Sequence, residues 1–462
     1  MQITSVASSL PKPARVVATR ANALPTKSGN TDVDAVLTGG TNWWHDASNA
    51  MGVSTATGMS NAKHTLTFSF MAVANSARTT DTDGFQAMTD TTKTAVRAAL
   101  AYVSTVANVS FEEVDTGGNI QFGTDNQHGK SGGYAHTPNS AGADVASVYM
   151  ANDAYNQGTT QWTEGSSAWA ALVHEIGHAL GLKHPGAYNA GGGKTPGPYL
   201  PKTEDNTRYS LMSYNTPSDA TVAESTALDG GRYSLSMRGI QASTYQMVDM
   251  QALQYMYGRS QNAAETDAQT YAFTDGDADK NQFLKTVSNS NANSTIDASG
   301  ISKSNVIDLR AGHFSSIGLH DAYANLATPF NTAAKWKAAV KSKAVPTYTG
   351  ANNLGIAYGS HIGKAKGGSG ADTIIGNDDA ANTIESGAGN DTIFLGKANA
   401  TVNGGDGTDT VCLTKLKTKW NVAYNAETGT YTCTNGSITQ TLTGVESVKG
   451  WDGKKLTISK LA

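Results

Sequence analysis

Three nine-residue stretches constrain this chain more than anything else in it: GGSGADTII from residue 367, SGAGNDTIF from 386 and GGDGTDTVC from 404. They share the form Gly-Gly-x-Gly-x-Asp-x-apolar-x, with Ser386 in place of the first glycine in the second, and each reads as one half-turn of a parallel β-roll. Asp372, Asp391 and Asp409 fall 19 and 18 residues apart. Each interval is two half-turns, the first with one extra residue, so the three stack on one side of the roll. Glycines let the backbone turn tightly enough to aim carbonyl oxygens inward, and stacked aspartates add hard anionic oxygens, the ligand set that calcium takes. The expected ligands are Gly367, Ser369 and Asp372 in the first turn and Ser386, Gly387, Ala388, Gly389 and Asp391 in the second. Gly404, Gly405, Asp406, Gly407 and Asp409 follow in the third, and together they should hold about two or more calcium ions.

The half-turns between these, NDDAANTIE and LGKANATVN, keep Ile384 and Val402 in the apolar position but put Asn382 and Ala400 in the acidic one. The opposite side is therefore expected to bind calcium poorly. A flexible Gly/Asp-rich loop is the competing reading, and the recurrence of Ile374, Ile393 and Val411 in phase argues against it. DGDADKN from 275 resembles half an EF-hand loop, but Lys280 stands where the glycine belongs and Thr286 where the terminal glutamate belongs.

At 462 residues the chain exceeds one ordinary core and suggests two or three domains. Charged residues make up 16% and there are 49 glycines, a turn- and strand-rich bias that suits an extracellular protein. The net charge of −4, without a dense Lys/Arg cluster, offers no surface for neutralising phosphates, so no nucleic-acid partner is expected. No apolar run reaches the roughly 18 residues of a membrane span, and the opening MQITSVASSLPKPARVVATR lacks the apolar stretch of a secretory signal peptide. Cys412 and Cys433 lie 21 residues apart with no metal-site spacing, and read equally as a disulfide or as two buried thiols.

Residues 1–28 show no periodicity and read as a tail or propeptide. Beyond them HTLTFSFMA alternates as a half-buried strand, TKTAVRAALAYVSTVANV is helical, and NIQFG and DVASVYM read as short strands, giving a β-α-β-β-β run. The helix SSAWAALVHEIGHALGL follows, with Ser166 or Ser167 as its N-cap. After YQMVDMQALQYMYG, which stops at Gly258, helical signals largely vanish apart from TAAKWKAAVKS. The boundaries drawn are 1–28, 29–258 and 259–462.

Within that helix lies HEIGHALGLKH, residues 174 to 184, which uses three of the ten histidines in the chain. His174 and His178 are one helical turn apart on one face, at the separation needed to share a metal ion. Gly181 can end the helix in the left-handed conformation and let His184 approach the same ion from outside. Three neutral nitrogens leave one tetrahedral position of a zinc ion open, with Glu175 placed to take a proton from water there. Three histidines at these offsets start at a given position with a chance on the order of one in a hundred thousand. His136, in GGYAHTP upstream, reads as a surface or cleft residue.

HExxHxxGxxH resembles the metzincin pattern of zinc endopeptidases, which also has a methionine turn downstream. Met212 in SLMSYN supplies it, and Tyr214 two residues on resembles the tyrosine that in the serralysin and astacin branches binds zinc or steadies the oxyanion. A zinc motif followed by a calcium roll looks like the serralysin family across roughly residues 29 to 450. The resemblance implies an α+β metzincin-type catalytic domain, with a mixed sheet and an active-site helix, followed by an all-β parallel β-roll domain. It implies peptide-bond hydrolysis with one catalytic zinc, Glu175 as general base and structural calcium. An extended substrate is expected along the strand near GGYAHTP. Expected partners are protein or peptide substrates, with room for a proteinaceous inhibitor, and a monomer is expected. The family leaves the cell by a type I route that needs no signal peptide, so an extracellular location is implied. The chain departs from the family in having two cysteines, a short repeat array and the terminus KKLTISKLA. The rival reading is a β-roll binding protein whose protease-like half has lost activity. The presence of His174, Glu175, His178 and His184 argues against it.

Overall fold

The computed structural model describes residues 18–20, 28–38, 44–46, 64–74, 83–137, 145–153, 162–189, 193–228, 232–276, 282–321, 347–414, 419–450 and 458–460. Most of the 1–28 stretch, the segment TAAKWKAAVKS and much of DGDADKN lie outside the described residues. Of the first stretch, Ala18–Arg20 forms a short strand antiparallel to Trp44–Asp46.

Four longer helices arise where capping residues meet apolar periodicity. Asn30 caps α1 (Thr31–Val36), Thr89 caps α2 (Asp90–Val106) and Ser166 caps α3 (Ser167–Ala179), each side chain accepting from backbone N–H groups of the first turn. α4 (Met247–Tyr257) ends at Gly258. α2 buries a stripe of Val96, Leu100 and Val103. The associated sheet has the order Val109–Glu113, His64–Phe70, Ile120–Asp125, Ala146–Ala151, Gly133–His136. All neighbours are parallel except the last pair. Four strands follow α2: two answer to NIQFG and DVASVYM, Gly133–His136 lies in the GGYAHTP stretch, and Val109–Glu113 has no counterpart in the sequence reading. In that strand Val109 and Phe111 alternate with Ser110 and Glu112, but the alternation is only four residues long and the helical run TKTAVRAALAYVSTVANV already absorbs Val109. The antiparallel pair Thr221–Leu228 and Arg232–Gly239 was not read from sequence either, although the three residues joining them, Asp-Gly-Gly, are a hairpin-turn signal.

Beyond Gly258 the chain winds into two facing sheets. One is the parallel stack Val306–Asp308, Thr373–Ile375, Thr392–Leu395, Thr410–Leu413, Ser447–Gly450. The other carries Thr295–Gly300, Lys364–Lys366, Asn382–Glu385, Ala400–Asn403 and Ile438–Thr443 as successive parallel neighbours. Ile374, Ile384, Ile393, Val402 and Val411 are all buried between them, each worth about 1.5–3 kcal/mol of apolar burial. A separate core lies in the helical half, and Leu284, Tyr348 and Ala357 join it from beyond Gly258. Arg259 fastens the junction, pairing with Glu265 and donating to Gly359 O at 2.8 Å. Cys412 and Cys433 are buried free thiols.

Candidate metal centres

α3 presents its histidines because an apolar face of Leu172, Val173 and Ile176 is buried in the core. His174 and His178 then point along the other side, half-buried, and Glu175, next to His174 in the chain, is buried. Two glycines make the motif possible. A Cβ on Gly177 would stand 2.8 Å from the sulfur of Met212, so only glycine lets the helix rest on that methionine, which is fully buried. Gly181 has φ 106°, the left-handed turn that ends the helix. The chain then bridges antiparallel from Leu182 to Leu37 and carries His184 back to the helix.

The three imidazoles converge. His184 Nε2 lies 3.2 Å from His174 Nε2 and 3.0 Å from His178 Nε2. Nitrogens around a tetrahedral ion at the usual zinc distance stand about 3.3 Å apart. Leu211 O lies 2.9 Å from His174 Nδ1, and Leu182 O lies 2.9 Å from His178 Nδ1. With Nδ1–H donating to a carbonyl, each Nε2 keeps its lone pair for a metal. Burial lowers the imidazoles to about 3 for His174, about 4 for His178 and about 2 for His184, so all three are neutral at pH 7. Burial pushes Glu175 up to about 8. The donor set fits zinc, and these histidines form the metal-capable cluster found among the described residues.

Met212 sits in a turn that Asp249 of α4 anchors. The buried Asp249 carboxylate accepts from Ser210 Oγ at 2.6 Å, Leu211 N at 2.6 Å and Gln246 N at 2.9 Å. Since Leu211 also supplies the carbonyl on His174, this carboxylate orients a ligand through one residue. Asp249→Ala is expected to cost about 2–4 kcal/mol, because it leaves buried donors unpaired, and urea denaturation measures it. Tyr214 is 49% exposed, with its ring 4.3 Å from that of His184 and 6.0 Å from that of His174. Tyr188 stacks on Tyr214 and donates to Asp205 at 2.5 Å. Asp205 also accepts from Ser213 Oγ, which steadies the base of Tyr214. Neither Asp249 nor Tyr188 was singled out from sequence. A cavity of about 300 Å³ lined by Ala135, Thr137, Leu182 and Pro196 opens beside His178 and His184. It places the strand Gly133–His136 along the site. His136 itself packs edge-on to Tyr134 and is not part of the cluster.

In the roll the three glycine-rich turns stack as their spacing demands. Ala388 N donates to Gly368 O, Asp406 N to Gly387 O and Ser386 Oγ to Gly404 O. Ser369 N reaches back to Ile301 O. Gly387, Gly389, Gly405 and Gly407 all have positive φ. The aspartates form a ladder in which Asp372 N donates to Asp391 Oδ1 at 2.8 Å and Asp391 N to Asp409 Oδ1 at 2.9 Å. Asp391 Oδ2 and Asp409 Oδ2 are buried without a hydrogen-bond partner, the arrangement a cation would relieve. Asp372 differs, its oxygens accepting from Asn305 N, Asn305 Nδ2 and Gly368 N. Two ladder members escaped the sequence reading: Asn305 before the first turn, and Glu446, whose Oε2 accepts from Asp409 N. Gly300 to Ile307 is a degenerate repeat with Asn305 in its acidic position, which was the available signal. On the opposite side Asn382 accepts from Asn377 N and donates to Asn377 O, so a neutral amide closes that turn.

The matrixin family model matches residues 61–190, the stretch from the first long strand through His184. The chain is 31% identical over 344 residues to metallopeptidase AprA of Pseudomonas marginalis, covering 70% of this chain and 62% of that protein. It is 32% identical to serralysin of Proteus mirabilis over 48% of this chain and 47% of the relative. With serralysin C of Dickeya chrysanthemi the identity is 30%, over 55% and 52%. Fold and site define the class, a metzincin-type domain with a mixed sheet and few helices followed by a strand-rich region. Within that class the chain is similar to the serralysin metalloproteases. It spans between 47% and 62% of the length of these three relatives.

Proposed function

We propose that the protein is a zinc-dependent endopeptidase, with residues 29–258 as its catalytic domain and residues 259–462 as a calcium-stabilised roll. The observation that carries this reading is the convergence of three neutral imidazoles beside a buried carboxyl group. His174, His178 and His184 hold the metal. Zinc, when bound, supplies a Lewis acid that polarises the scissile carbonyl and acidifies water. Glu175 takes the proton from the attacking water and returns it to the leaving amine. Tyr214, over the rings of His174 and His184, donates to the developing oxyanion. The strand Gly133–His136 guides an extended peptide past the cavity. In the roll, Asp391 and Asp409 offer buried carboxylate oxygens to calcium, with Asp372 and the turn carbonyls around them.

Action outside the cell suits a roll that fills at the calcium concentrations found there. Among the described residues no helix is long and apolar enough to cross a membrane. The test is metal content with activity. Dialysed protein should carry a single zinc by mass spectrometry, casein hydrolysis should fall to background with a zinc chelator, and added zinc should restore it. Undiminished hydrolysis by zinc-free protein would overturn the reading.

A further inference from the structure

Between Gly181 and the third histidine sits a lysine that the chemistry above does not use. Lys183 is 7% exposed, and its ammonium group faces main-chain carbonyls. It donates to Ala35 O near the C-terminal end of α1, to Pro198 O at 3.0 Å and, at 3.5 Å, to the carbonyl of His184 itself. Its own backbone N–H donates to Val36 O at 2.7 Å. Lys183 therefore engages the end of α1 through both main chain and side chain, where the helix dipole favours a cation. Thr38 completes the seam, its backbone N–H and its hydroxyl both donating to Gly181 O, at 3.1 and 2.8 Å. The segment 193–200 closes from the other side, with Leu200 N on Pro185 O at 3.0 Å.

His174 and His178 are held rigidly by α3. His184 lies beyond the helix, so its position depends on what grips residues 181–185. We propose that Lys183 is a positioning residue for the third metal ligand, clasping residues 28–38 and the 193–200 segment around His184. The N-terminal segment thereby braces the metal centre. This rests on the metal-centre reading above.

Zinc release to a colorimetric chelator tests it in the full-length, calcium-loaded protein. Lys183→Met should speed release about 10–100-fold, the affinity loss typical when a group supporting a ligand is removed, expressed in the off-rate. Thr38→Val should speed it by a smaller factor. Val96→Ala, a cavity on α2, which supplies none of the clasp's hydrogen bonds, should lower the melting temperature and leave release unchanged. Cobalt-substituted Lys183→Met should also show a shifted visible spectrum, which loss of global stability alone does not produce. Wild-type release from Thr38→Val overturns the proposal even if Lys183→Met does not fold, as does equal acceleration by Val96→Ala. Wild-type protein that binds no zinc would instead refute the metal-centre reading itself.

Discussion

Replacing Glu175 by glutamine is expected to lower kcat/KM for a peptide substrate by about 10²–10⁴ while zinc content stays at the wild-type level. The side chain is buried, follows His174 directly on α3 and keeps its size in the substitution. Only the capacity to accept a proton is lost. Burial raises this carboxyl to about 8, and a neighbouring dication draws it down again by favouring the ionised form. Activity should therefore fall as pH drops through the resulting value, because protonation removes the base. In Glu175→Gln that acidic limb should disappear. Full activity in the glutamine variant, measured on zinc-replete protein, would remove Glu175 from the mechanism and reopen the alternative of a binding protein on a protease scaffold.

Withdrawing calcium should have the larger effect on stability. Two sites, each filled at about 100 times its Kd, contribute about 2.7 kcal/mol apiece. For a region of this size that is roughly 10–20 °C in melting temperature. A selective calcium chelator should thus shift the calorimetric transition of the roll downward and leave zinc content unchanged. The pH dependence has a definite sign. Burial raises Asp391 from 3.8 to about 6, and Asp372 and Asp409 move the same way. Below about pH 4 these groups are protonated in both folded and unfolded chains. Between about 4 and 6 the unfolded chain releases protons that the roll retains, so the calcium-free roll loses stability as pH rises. With calcium bound, ionised aspartates are the ligands and the trend reverses. A calcium-free transition that climbs from pH 4 to 7 would contradict the ladder geometry.

How far the sequence could be read depended on whether a residue's partner was near it in the chain. The zinc motif was legible because a helix sets the offset of His174 and His178, and a glycine three residues on supplies the turn toward His184. The roll was legible because its period repeats. Asn305 was obscured because its turn keeps Gly300 but has lost the other two glycines and the aspartate that mark the others. Glu446 was obscured because a short Gly444-Val445-Glu446 turn replaces the six-residue one. Gly177 lay inside the recognised motif, but its contact with Met212 depends on how a distant turn docks.

Sequence alone determined the identities and local spacings of the metal-binding groups, through the helical pitch and the nine-residue period. The rest was decided by tertiary closure: Asp249 holding the methionine turn, Tyr188 steadying Tyr214, and Lys183 gripping α1 and a following loop around His184. Those contacts join residues between about 15 and 148 positions apart. No local period encodes them, because they arise only when packed apolar faces bring remote backbone carbonyls and carboxylates to the same few ångströms.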